Sequence, residues 1–440
     1  MSTLYKIELA ALALGMLGGF FTLPSGQSLA GRLKRWWQEE HWLFCQAGGL
    51  YRERMALPSA VGVLFVLYFL KVATMAVSAL SGLPEDWEFW DGLFFGMLTG
   101  FLVLKTLLAT RYSGRQLAVL CLVLGYFYII NVVTGYKPLT HAAILMVVLK
   151  DVDLKKALRA VALFLFGDVA VTAALALGGL IPNSVQYWDN GRVRMDLGQG
   201  HANSLGILVA QALVLWLLTR FASLRWWDLL VAAAGIGFIY FVPNSRSSVI
   251  FAGLALAGML AAKLLPRLFA MGWFQALCCL PAVGLSAIMW YFHYNYDKDV
   301  EWMLKLDKIL TGRISLAYIT SYEELKITDR PFRLFGQAFV TDRFYRVDSS
   351  YIYYAYLCGP LMAVLLCLGF AILTWKLMRT GRPELAVCVM VYACYAMMER
   401  CLSTINFSLL FMPAVLFGAG ALVWPRAQKQ AGPEERKGEA

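Results

Sequence analysis

Residues 203–221 read NSLGILVAQALVLWLLTRF, an apolar run whose single formal charge, Arg220, stands next to its end. Such a run can satisfy its backbone hydrogen bonds in hydrocarbon only as a helix, because the bilayer core offers no water to N–H and C=O groups. Similar runs return at 57–80, 95–108, 157–181, 248–265 and 349–377. The chain as a whole agrees: of 440 residues 60% are hydrophobic and only 15% charged, with a mean hydropathy of +0.62. Soluble domains carry roughly 25% charged residues, so the deficit argues against a soluble enzyme on an anchor. The reading is an all-α, polytopic transmembrane helical bundle, one domain over residues 1–440.

The net charge of +11 is explained by its distribution and does not signal nucleic-acid binding. Basic short loops stay cytoplasmic. Arg32, Lys34, Arg35, Arg52 and Arg54 follow the first apolar stretch, 7–23, which lacks a cleavable-signal pattern and reads as a first span. Residues 81–91 then carry four carboxylates and no base. Basic connections recur at Arg111 and Arg115, at Lys150, Lys155, Lys156 and Arg159, at Arg220 and Arg225, at Lys263 and Arg267, and at Lys376, Arg379 and Arg382. Every second connection is basic. That alternation gives about 13 spans (12–14), an outside N-terminus and a cytoplasmic tail at 425–440. The segment 139–149 is short enough to be re-entrant, and 41–51 could dip without crossing. A multi-pass plasma-membrane location follows, with the active face extracytoplasmic. The nine cysteines are scattered without a C-x-x-C, and the vicinal pair Cys278–Cys279 reads as small core hydrophobes.

The remaining polar features fall on the expected outer side. Gly198-Gln-Gly-His-Ala-Asn-Ser-Leu-Gly206 runs into a span, with His201 and Asn203 at a helix start. Asn203 or Ser204 can cap the free N–H groups there, and a helix N-terminus also favours anionic ligands. Pro243-Asn-Ser-Arg-Ser-Ser248 joins two spans. An arginine in such a turn either snorkels to headgroups or meets an anion, whose phosphate oxygens its planar fork matches.

The long connection 293–347 is the expected extracytoplasmic loop. Trp302, Leu306, Ile309 and Leu310 recur at helical spacing, as do Ile314, Ala317, Tyr318, Tyr322 and Leu325, which predicts two amphipathic helices lying on the membrane or capping the bundle. Thr311-Gly312-Arg313 separates them. A cation is poorly placed in the first turn of a helix, so Arg313 is expected to face an anion. Asp297-Lys298-Asp299 reads as a solvated charge run, since two spaced carboxylates are too few for a metal. Asp348-Ser-Ser-Tyr351 re-enters the bundle, with Asp348 as N-cap or general base. Glu399 and Arg400, with Asn406 beyond, form either an interfacial pair or part of a site. Lys71 and Asp168 lie mid-span, where charges are paired or functional.

In order, these motifs resemble the O-antigen polymerase/ligase superfamily, most closely the Wzy-like polymerases of capsular and exopolysaccharide pathways. The resemblance covers roughly residues 120–415. It rests on the G-x-G-H-x-N-x-x-G element at 198–206, the turn Ser245-Arg246, the loop element Gly312-Arg313, the element Asp348 to Tyr351, and the stretch Lys150-Asp-Val-Asp-Leu-Lys-Lys156. Ligase members usually carry His-Asn where this chain has Asp348-Ser349, which favours a polymerase.

The resemblance implies a glycosyltransferase that joins undecaprenyl-diphosphate-linked oligosaccharide repeat units without a nucleotide sugar, cofactor or metal. Membrane lipid, a flippase and a chain-length regulator are the further candidate partners. Arg246 and Arg313 would stabilise the departing diphosphate. Arg192, Arg194, Asn203, Ser245 and Tyr351 would bind substrate, and His201, Asp348 or Glu399 would help deprotonation. A ligase and a lipid-oligosaccharide flippase or transporter stand as alternatives. Transporters often show internal repeats, and none is visible here.

Overall fold

The computed structural model describes residues 28–39, 41–42, 111–136, 154–187, 191–310, 312–320, 333–336 and 347–401. The expected spans at 7–23, 57–80, 95–108 and 139–149, the 81–91 connection, Lys71, Lys150, Tyr322, Leu325, Asn406 and the 425–440 tail lie outside the described residues.

Within them the chain is a helical bundle. Helix α1 (Leu29–Gln38) and a short antiparallel pair, β1 (His41–Trp42) with β2 (Arg111–Tyr112), precede α2 (Gly114–Thr134) and α3 (Leu154–Leu177). A hairpin of β3 (Val185–Tyr187) and β4 (Val193–Met195) leads to α4 (Ala202–Arg220), α5 (Trp226–Phe241) and α6 (Arg246–Leu264). Then come α7 (Pro266–Ala270), α8 (Gly272–Asn295), α9 (Glu301–Ile309), α10 (Arg313–Tyr318), α11 (Ser350–Cys358), α12 (Pro360–Arg379) and α13 (Pro383–Met398). Six of these helices are long and apolar enough to cross a membrane, and α5 and α13 are shorter apolar helices. The chain is a multi-pass membrane protein.

Helix α4 is the hub. Two-thirds of its apolar window (67%) is buried, against 22% for α3. It packs on α3, α5, α6 and α13, while α8 packs on α12 and α13. Gly206 makes the α4–α6 approach: a Cβ there would meet Ser245 Cβ at 2.5 Å. Small residues at helix crossings are what bundles use where lipid is as apolar as the side chains.

Because consecutive helices run in opposite directions, their connections sort to two ends. Residues 178–201, 242–245, 299–300 and 399–401 meet at one, here the arm end, after the α9–α10 arm that rests there. Lys155, Lys156, Arg159, Arg220, Arg225, Lys263, Arg267, Lys376, Arg379 and Arg382 lie at the other, the basic end. There Lys263 donates to the carbonyls of Phe221 and Leu224, and Trp226 and Trp227 stack, exposed, at 3.6 Å.

The stretch 349–377 departs from the single span expected. It breaks into α11 and α12 at Gly359, whose φ of 92° and ψ of 162° no helix tolerates, and Pro360 opens α12. A continuous helix over 349–377 would be about 44 Å long, longer than the ~30 Å hydrocarbon core, and α12 alone suffices to cross it. Residues 333–336 lie against the break: a Cβ at Gly359 would strike the Leu334 carbonyl, and one at Gly336 the Leu357 carbonyl. The Tyr126 hydroxyl donates to the carbonyl of Cys358 at 2.7 Å.

The two helices expected on either side of Thr311-Gly312-Arg313 are α9 and α10, with Gly312 left-handed at φ 81°. They pack on the end of α8 through a small core of Phe292, Tyr296, Met303 and Ile314, apart from the main core. Leu306 and Leu310 pack against this small core, while Trp302 and Ile309 are exposed. Asp297, Lys298 and Asp299 are exposed. Cys278 is buried in the main core, and both it and Cys279 are free thiols.

Candidate functional site

The first turn of α10 is already neutralised from within its own arm. The Asp307 carboxylate accepts from the N–H groups of Ile314 (2.9 Å) and Ser315 (3.0 Å), and its carbonyl accepts from Gly312 N–H at 2.8 Å. With its helix end capped by Asp307, Arg313 directs its guanidinium into the bundle. Nη2 donates to Glu399 Oε1 at 2.7 Å, and Nη1 forms an ion pair with Asp348. Arg313 and Glu399 are 9% and 7% exposed as side chains, whereas Asp348 is 26% exposed. Asp348 is therefore the carboxylate open to a ligand.

Glu399 is held from two further sides. Ser247 Oγ on α6 donates to Oε1 at 2.8 Å. Ser350 Oγ on α11 donates to the Glu399 carbonyl at 2.6 Å and accepts from Cys401 N–H. Beside them, the Tyr395 hydroxyl, one turn before Glu399 on α13, lies 3.2 Å from Ser248 Oγ, which lies 2.9 Å from Ser245 Oγ.

The β3–β4 hairpin brings two more arginines. Arg192 and Arg194 stand two apart on one strand face and clamp the Val242–Asn244 turn. Arg192 Nη2 donates to the Asn244 carbonyl at 2.7 Å, and Arg194 Nε to that of Pro243 at 3.0 Å. Met195 N–H bonds the carbonyl of Val242. Arg194 is buried and also donates to Asn203 Oδ1. Burial, and then the Arg192 and Arg313 cations, push the Arg194 guanidinium below its ordinary range, with Glu399 opposing. Arginine does not lose its proton in proteins, so the direction measures a cost that an added anion would relieve.

His201, and neither Asn203 nor Ser204, caps α4: its Nδ1 accepts from Asn203 N–H at 3.1 Å. Partial desolvation, and then Arg194, hold the imidazole below its usual range. The expected N-cap role of Asp348 is likewise replaced, since Ser349 holds that position and Asp348 pairs with Arg313. Glu399 pairs with Arg313, and Arg400 lies over the Tyr353 ring at 5.0 Å. Gln199 reaches down to Thr172 Oγ1 at 2.7 Å and to Asp168 at 3.4 Å, which anchors the glycine-rich stretch on α3.

Arg194, His201, Asn203, Arg313, Asp348 and Glu399 thus meet at the arm end. Three other expected site residues do not join them. Arg246 is exposed at the start of α6, where it is felt by Arg192. Ser245 is buried under Gly206, and Tyr351 is fully buried with its hydroxyl on the Ala393 carbonyl at 2.8 Å. Both serve helix packing. Sequence reasoning passed over Ser247, Ser350 and Asp307. The first two stood inside motifs already singled out, beside the arginine and the aspartate that drew attention.

No family model matches the chain, and comparison with curated proteins and with solved structures returns no match.

Proposed function

We propose that the chain is a polysaccharide polymerase joining polyprenyl-diphosphate-linked repeat units at the outer face of the plasma membrane. The observation that carries this reading is the meeting of Arg313, Asp348, Glu399 and Arg194 at the end of the bundle opposite its basic connections. Basic loops stay cytoplasmic, so this end would face outward, where nucleotide sugars are absent and a lipid-diphosphate donor brings its own driving force.

In this reading an acceptor hydroxyl of one unit attacks the anomeric carbon of the growing chain. The new C–O bond forms as the anomeric bond to diphosphate breaks, and polyprenyl diphosphate leaves with the electron pair. Asp348, the open carboxylate of the pair, takes the hydroxyl proton. Arg194 and Arg313 face the charge that develops on the leaving group, in a site where fixed cations act without solvent reorganisation. The expected pair of Arg246 and Arg313 becomes Arg194 and Arg313, because Arg246 points outward.

The discontinuity between α11 and α12 favours a second reading, a lipid-oligosaccharide flippase, since transporters use broken helices. One experiment separates the two. Cells lacking a polymerase accumulate single lipid-linked repeat units on the outer leaflet, whereas loss of a flippase strands them on the inner one. Gel profiles of extracted glycolipid, with leaflet-specific labelling, read the difference. Polymer of normal length in the deletion strain would sink the polymerase reading.

A further inference from the structure

Among the described residues the α9–α10 arm is attached to the molecule in two unlike ways. At its base, Phe292 and Tyr296 of the α8 end pack with Met303 and Ile314 in a core separate from that of the bundle. Toward α11 and α13 the contact is mainly charge: Arg313 against Asp348 and Glu399, with Ala317 as the arm's buried apolar residue in the main core. An apolar platform is indifferent to ions. A guanidinium held by two carboxylates is not, because phosphate oxygens offer it the same planar, bidentate geometry.

The charges around the contact invite that exchange. Three arginines, Arg192, Arg194 and Arg313, lie close enough to act on one another there. Arg192 and Arg194 both lie below their ordinary range through burial and neighbouring cations. A phosphate on Arg313 keeps the buried guanidinium paired, and the released Glu399 still accepts from the Ser247 hydroxyl, so the exchange leaves neither group without a polar partner. Leaving Arg313 bare would be costly. Such a contact holds when the site is empty and yields to an incoming anion.

Resting on the proposed reading of this end as the donor site, we propose that Arg313 is an exchangeable latch. A phosphate-bearing anion takes the places of Asp348 and Glu399 on its guanidinium and frees the arm to swing on its α8 platform. The arm is then a lid that the donor's own headgroup unlocks. Closure over an empty site would also keep water and stray hydroxyls from the cations.

The test uses full-length protein in phosphatidylcholine nanodiscs, with spin labels at Lys305→Cys on α9 and Tyr187→Cys on β3, both exposed positions. Inorganic pyrophosphate should shift the label-to-label distance, and Glu399→Gln should lower the concentration giving half of that shift. Arg313→Gln should show the shifted distance without ligand and ignore pyrophosphate. Nanodiscs of phosphatidylglycerol without pyrophosphate form the second arm. A shift there alone keeps the latch but assigns it to lipid headgroups. An unchanged distance in wild type under both conditions, or an Arg313→Gln protein still closed, would overturn the latch. The glycolipid profile of the deletion strain would still stand or fall separately.

Discussion

The two ends of the bundle each bury a carboxylate, and they do so differently. At the basic end Asp228 is 3% exposed. It accepts from Arg225 N–H at 2.8 Å, from Trp216 Nε1 at 3.2 Å and from Arg220 Nε at 3.3 Å. These partners lie 3, 12 and 8 residues away, so Asp228 locks a single turn between α4 and α5. At the arm end Glu399 is tied to Ser247, 152 residues away, and to Arg313, 86 residues away. Arg192 reaches Asn244 across 52 positions. A local carboxylate shapes a turn, whereas one built from four distant elements marks a place where the whole fold converges.

The comparison breaks most sharply if the ends are misassigned. Cysteine at Lys305 should react with a membrane-impermeant maleimide in intact cells, and cysteines at Lys155 and Arg225 only after permeabilisation. Labelling at 155 or 225 from outside would reverse the orientation and remove the proposed site.

Next in size is Arg313. Removing a group that acts on transition-state charge costs about 2.7–4 kcal/mol, or ~10²–10³ in rate. Arg313→Ala should therefore abolish polymer, and Arg313→Lys should restore part of it by keeping charge without the fork. Arg246→Ala, at an exposed position, should cost only about 0–1 kcal/mol and leave polymer near normal. Equal losses at 246 and 313 would contradict the placement of Arg246 outside the cluster.

Asp228 should show the opposite signature. Hydrogen bonds to charged groups contribute about 1.5–3 kcal/mol, so Asp228→Ala should lower the thermal midpoint of detergent-solubilised protein. The polymer made per folded molecule should keep its length distribution. A changed distribution would mean that the basic end is not merely structural.

The smallest effect concerns His201. Its pKa is depressed in the folded chain, so the unfolded chain binds more protons as pH falls. The stability contributed by the neutral imidazole is present above about 6.5, the unfolded value, and is lost as pH drops toward the folded one. The cap itself is worth ~1 kcal/mol. His201→Ala should be slightly less stable at neutral pH and should lack that part of the acid dependence. Parallel pH profiles for the two proteins would exclude His201 as the cap.

The fold was legible wherever hydrophobicity alone decides. The run 203–221 became α4, 157–181 became α3, and Gly312 with its neighbours separated α9 from α10. Hydropathy was blind to the break at Gly359, because a glycine and a proline inside a long apolar run change the average little while changing the backbone completely. Within the site, Arg313 announced itself as a cation at a helix start. Its partners Asp348 and Glu399 were also among the expected residues, but their pairing with it and the Ser247 contact were hidden, since Glu399 and Ser247 are adjacent only after α6 and α13 have packed. Arg246 misled for the same reason: the residue following it, rather than Arg246 itself, faces inward.

Helix α11 carries an implication for biogenesis. Its nine residues are all buried, yet a helix of that length spans about 14 Å, half of what a translocation channel needs to retain a segment as a span. The membrane-insertion machinery would therefore pass α11 across together with the arm and stop at α12. The short helix then has to sink back into a bundle already in the membrane, with Gly336 and Gly359 smooth enough to let one backbone slide against the other. If the arm end faces outward as proposed, the piece that delivers Asp348 to Arg313 would be seated only after the long spans around it, and the site would be assembled late in insertion.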